Sequence, residues 1–229
     1  MGGARGSREI RIWKASPTDQ AHWPTGEGAV KNANRAKLKG VGASSKSAKL
    51  GARRRGKSGG TRVAGRKPMN EHEALLREQL VSLLKGGGAH IQFMDAVENF
   101  PAAKRGTYAQ GLAHTGWQLL EHVRIAQWDI LEFSRNGAHV SPEFPEGYWP
   151  KAPGPVSEEE WNKTVEAFQR DLREMIKLVE NPRTDLYAKI PHGQGQNILR
   201  EALVLADHNA YHLGQLVDLR RALGSWPEG

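Results

Sequence analysis

The chain has 229 residues, 33 Lys+Arg against 25 Asp+Glu, and no cysteine. That length allows one sizeable domain with an extension, or two small domains. The missing cysteine excludes a disulfide framework, cysteine-ligated zinc, iron–sulfur clusters and a cysteine nucleophile within the chain.

The charge is divided unevenly. Residues 1–68 hold 17 Lys+Arg and 3 Asp+Glu, a balance of +14, whereas residues 69–229 hold 16 and 22, a balance of −6. The first segment also carries 12 Gly and only 8 Ile, Leu, Val, Phe or Met. Runs such as Lys46-Ser47-Ala48-Lys49 and Arg53-Arg54-Arg55-Gly56-Lys57 follow neither a helical nor a strand period. So little apolar surface cannot offset the entropy of ordering, and the sequence predicts a disordered basic tail. Three readings of it stand side by side. It is a passive or non-native extension, since Met69 immediately precedes the first periodic segment. It is a tail for nucleic acid or acidic partners, its Lys and Arg neutralising phosphates without reading sequence. Or it is a targeting peptide, a reading that its length and glycine content oppose.

From residue 69 onward the pattern is helical. Asn70–Lys85 carries Leu75, Leu76, Leu80, Leu83 and Leu84 on one side and stops at Gly86-Gly87-Gly88. A short helix is expected around Ile91–Asn99, before Pro101. A long one runs from about Thr115 to Asn136. Another starts at Ser157, where Ser157-Glu158-Glu159-Glu160 has the capping-box pattern, and ends at Asn181-Pro182. The last runs from about Asn197 to Leu223. Between the second and third long helices lies a 20-residue loop with five prolines, Pro142, Pro145, Pro150, Pro153 and Pro155, and with Tyr148 and Trp149. Strand signals are nearly absent, so the fold class is all-α: a four-helix bundle over residues 69–229 behind the basic tail. No stretch approaches the roughly 20 apolar residues of a membrane span, and the start lacks a signal-peptide apolar region. The expectation is a soluble, cytoplasmic protein with no membrane partner.

Nine histidines are present, eight of them in residues 69–229. His72, His90, His114, His139 and His192 occupy helix starts or loops and read as surface or capping residues. The other three stand on apolar stripes. Leu119, His122, Ala126, Ile130 and Phe133 fall within about 80° of arc at 100° per residue, and Leu205, His208, His212, Leu216 and Leu219 repeat that spacing. Three buried imidazoles without partners would cost on the order of 1–3 kcal/mol each. Two solutions remain open: each is bonded to a carbonyl or carboxylate as a core histidine, or all three share a divalent ion. His208 and His212 have the i,i+4 spacing that lets two rings converge on a metal, and His122 would supply a third ligand from a neighbouring helix. Three imidazoles suit zinc, nickel, iron(II) or copper. The segment His208-Asn209-Ala210-Tyr211-His212 has Asn209 where a zincin protease needs its glutamate base, which excludes that class.

Two stretches carry a resemblance. His114-Thr115-Gly116-Trp117-Gln118-Leu119-Leu120-Glu121-His122, continuing to Leu131, and Asp207-His208-Asn209-Ala210-Tyr211-His212-Leu213-Gly214-Gln215 together resemble the DinB/YfiT-like superfamily. The Tyr148-Trp149-Pro150 loop and the Ile190-Pro191-His192-Gly193 turn belong to the same likeness, which covers residues 69–229 and leaves the tail outside. The resemblance implies a DinB-type four-helix bundle that tends to form homodimers, with a divalent ion held by His122, His208 and His212. It also implies thiol-dependent chemistry of the kind some relatives perform, a low-molecular-weight thiol attacking a small electrophile. Activation of water for hydrolysis is a second form of the same chemistry. Glu121, Asp207, Asn209 and Gln215 are candidates to orient the ligands, and Trp117, Trp128, Trp149 and Tyr211 to line a pocket. The contrasting function class is a non-catalytic metal-binding or scaffold module that the tail brings to nucleic acid.

Overall fold

The structure of the protein, a computed structural model, describes residues 70–227. The expected tail lies outside the described residues. Five helices follow in order: α1 Glu71–Lys85, α2 Phe93–Val97, α3 Gly116–Arg135, α4 Glu158–Glu180 and α5 Ile198–Ala222, with one 3-10 turn at Ala102–Lys104. Among the described residues there is no strand, only an isolated bridge between Lys189 and Asn197. No helix among them is long and apolar enough to cross a membrane.

Side-chain caps set the helix starts. The Asn70 carboxamide accepts from the Glu73 N–H at 2.8 Å, and Asn197 does the same for Arg200 at 2.8 Å. Thr115 and Gln118 form a reciprocal box that satisfies two orphan donors of α3. At α4 the box expected from Ser157 and Glu160 closes only halfway. Ser157 Oγ accepts from the Glu160 N–H, but the Glu160 carboxylate turns back one residue further and accepts from Val156 N–H at 2.6 Å.

α1, α3, α4 and α5 form the bundle, with α1 and α3 each packed against both α4 and α5, and α2 laid on α5. Two apolar clusters fill it. One gathers Leu80, Leu84, Ile130, Phe133, Met175, Val179 and Leu205; the other gathers Phe93, Phe100, Trp117, Leu120, Trp161, Phe168 and Leu216. On α3 the clusters are separated by Gln127 and Asp129, and on α5 by His208, Asn209 and His212, all buried. A polar belt therefore crosses the middle of the bundle.

The stripe expected on α1 is corrected. Leu80 and Leu84 are buried, but Leu75 and Leu83 are 53% and 51% exposed. Around the helix they lie about 180° and 100° from the centre of the buried face, where Arg77 and Val81 sit instead.

Candidate metal centre

His122 lies in the first half of α3, and His208 and His212 lie one turn apart on α5, the helix that α3 faces. Their apolar neighbours turn both stripes inward, which buries the rings to 5%, 7% and 4% exposure. The Nε2 atom of His122 is 3.1 Å from Nε2 of His208 and 3.1 Å from Nε2 of His212. Ligand atoms of all three lie within 4.8 Å of one another, close enough to hold one metal ion. Two nitrogens on a tetrahedral zinc at about 2.0–2.1 Å stand about 3.3 Å apart, so the observed spacing fits.

The partners of the opposite ring nitrogens decide what those Nε2 atoms offer. His122 Nδ1 faces the main-chain carbonyl of Tyr148 at 3.1 Å. A carbonyl only accepts, so this nitrogen carries the proton and Nε2 keeps its lone pair. His212 Nδ1 faces Gln215 Oε1 at 2.7 Å, which leaves its Nε2 in the same state. Neither ring can then donate across the 3.1 Å gap, and two lone pairs point at a shared centre. A cation placed there is the group that suits this donor set.

Burial, aided by the nearby His212 ring and opposed by the Tyr148 carbonyl, lowers the pKa of His122 to about 3. His208 is held well below its ordinary value, again chiefly by burial, with the Asn209 side chain opposing. Both rings are neutral at pH 7, the form a metal requires.

Aromatic groups surround the rings. The Trp149 indole lies flat on His122 at 3.8 Å and 1°, and on its other side stacks with His114 at 3.9 Å and 14°. Tyr211, half exposed, stands edge-on to His212 at 4.9 Å. Of the four aromatic residues expected at a pocket, Trp149 and Tyr211 are thus at the site. Trp117 is buried beside Trp161, and Trp128 packs edge-on against His139.

The orienting residues divide in the same way. Gln215 reaches His212, and Asn209 acts on His208 while donating to Gln127 Oε1 at 3.1 Å. Glu121 turns to Arg124 and Thr164, and Asp207 is exposed, consistent with side chains next to a ligand pointing about 100° away.

Two histidines first read as surface or capping residues do more. His114 joins the Trp149 stack, and His139 Nε2 meets the fully buried Asp129 Oδ1 at 2.7 Å. No residue pattern pointed to the Tyr148 carbonyl, because main-chain acceptors carry no residue signature. Asp129 lay within view, seven residues after His122 on the same face of α3.

A helical bundle whose facing helices bring three buried imidazoles to one point has the arrangement with which metal sites are built in a bundle interior. The chain is a member of the DinB superfamily, whose sequence profile matches residues 11–216. The match begins inside the basic segment, a wider reach than the motifs alone had indicated. No curated protein and no solved structure gives a significant match.

Proposed function

We propose that the chain is a divalent-metal-dependent enzyme of the DinB type, with His122, His208 and His212 as ligands, that joins a low-molecular-weight thiol to a small electrophile. The supporting observation is the 3.1 Å separation of His122 and His212 Nε2, with an acceptor on each opposite nitrogen that turns both Nε2 lone pairs toward one point. A divalent ion bound there supplies Lewis acidity, lowering the pKa of a thiol or water brought to it. Three imidazoles leave a coordination position for that group, an arrangement typical of catalytic sites. The chain contributes the rest. Tyr148 and Gln215 fix the ring orientations, Trp149 shields one face of His122, and Tyr211 borders His212. With no cysteine in the chain, the sulfur nucleophile comes from solution.

The test loads the full chain with zinc, nickel or iron(II) in turn and follows thioether formation between a small thiol and an activated aryl halide. Turnover that needs both ion and thiol, and that disappears in His122→Ala with helicity retained, is the expected result. An ion bound in stoichiometric amount with no turnover, by thiol attack or by hydrolysis, would replace this reading with the non-catalytic metal-binding module.

A further inference from the structure

We infer that Tyr148 and Asp129 form a tether that sets the orientation and tautomer of His122. This makes both of them positioning residues for the three-histidine site, and the inference rests on the metal-binding reading above.

His122 and Asp129 are seven residues apart on α3, two turns along one face and about 10.5 Å along the axis. Tyr148 is fastened at both levels. Its hydroxyl donates to Asp129 Oδ2 at 2.6 Å, and its main-chain carbonyl accepts from His122 Nδ1 at 3.1 Å. The tyrosine ring is 2% exposed and the carboxylate fully buried, so neither end exchanges readily with water.

The neighbouring residues strengthen the strap. Trp149 continues it by stacking on the His122 ring, and Gln118 Nε2 donates to the Pro150 carbonyl at 3.4 Å. Just before it, a Cβ on Gly147 would stand 2.6 Å from Pro142 Cβ and 2.8 Å from the Glu143 carbonyl oxygen, so only glycine permits that turn. Asp129 is held from its other oxygen by His139 at 2.7 Å.

The carbonyl that fixes the tautomer thus belongs to a loop with no regular secondary structure, lying between α3 and α4. The Asp129–Tyr148 bond is the polar contact that holds the Tyr148 side chain against α3. A buried carboxylate in the middle of a bundle is costly unless its partners need it, and here one partner carries the carbonyl that orients a metal ligand.

The experiment compares wild type, Tyr148→Phe, Asp129→Leu and Asp129→Asn as full chains. Zinc affinity is measured by chelator competition, and the His122 ring nitrogens are followed by NMR in metal-free protein. Tyr148→Phe keeps the ring and the main chain and removes one hydroxyl. It is expected to weaken zinc about 10-fold, within the range for groups that orient a ligand, and to convert a single Nδ1–H tautomer into a mixture. Asp129→Leu should do the same. Asp129→Asn, which retains an acceptor for the phenol, should restore most of the affinity. Arg77→Met, a buried change facing the end of α4, separates tether from general stability. It should lower the melting temperature and leave both readouts unchanged. Unchanged affinity and an unchanged tautomer in Tyr148→Phe would overturn the tether, as would equal losses in Arg77→Met. Wild type that binds no zinc would overturn the metal reading, and the tautomer comparison would still decide the tether.

Discussion

Burial holds the imidazole of His122 at a pKa of about 3, whereas in the unfolded chain it titrates near 6.5. Between those values the unfolded chain binds the extra proton. Stability from this residue is therefore complete above pH 6.5 and declines as pH falls through the window. For metal-free protein the loss through His122 alone is about 2 kcal/mol between pH 6.5 and 5, and His208 adds to it with the same sign. Urea unfolding of chelator-treated protein at the two pH values measures it, and equal stabilities would contradict the burial of neutral rings.

Arg220 is 1% exposed. Its guanidinium donates to the carbonyls of Ala96, Glu98, Asn99 and Ser225 and lies over the Phe100 and Trp226 rings. It ties the end of α5 to the end of α2 and the segment that follows it. Arg220→Met would strand several carbonyls and is expected to cost about 3 kcal/mol or more, read by denaturant unfolding with little change in zinc affinity. Arg77 works similarly on the carbonyls of Val179, Asn181 and Thr184. Neither arginine could be recognised in the sequence, where a charge in a helix reads as a solvated face.

At the scale of elements, α3 does the most to place the site, and its start is the point of control. The Thr115 hydroxyl caps α3 by accepting from the Gln118 N–H, and it donates to the Pro153 carbonyl in the proline-rich loop. Thr115→Val keeps the shape and removes both bonds. It is expected to lower stability by about 1–2 kcal/mol, and thermal unfolding tests it. A change within a few tenths of a kcal/mol would show that the reciprocal Gln118 bond suffices.

All five helices were legible in the sequence to within one or two residues, because apolar period, capping residues and glycine or proline stops agree at each one. The exception in detail is α1, where five leucines suggest one broad face and Arg77 takes part of it. At the site, the His122, His208 and His212 stripes were legible because imidazole interrupts a row of apolar residues at fixed spacing. The Tyr148 carbonyl was not, nor was its link to the Asp129 carboxylate, although Asp129 stands on the same face of α3 as His122, since both act through a loop whose path depends on tertiary packing. Trp149 could be nominated for a pocket, but its flat contact with His122 and His114 is likewise set by that path.

At the scale of the whole chain, the balance of charge separates two questions. Residues 69–229 are net acidic and hold the candidate site, while residues 1–68 carry +14. Any affinity of the protein for nucleic acid is therefore expected to reside in residues 1–68 and to fall steeply between 50 and 200 mM salt, as counterion release requires. Filter binding of the full chain against residues 69–229 tests this. Salt-insensitive binding, or binding retained without the first segment, would contradict it.

The proposed function stands on three histidines from two helices holding one divalent ion. Elemental analysis of the full chain, purified without affinity tag or chelator beside a His208→Ala/His212→Ala variant, tests it most directly. Close to one ion per chain is expected in the first protein and none in the second, with both equally helical. A wild type that remains metal-free after supplementation with zinc, nickel, iron(II) and copper would contradict it, and the three imidazoles would then be core residues.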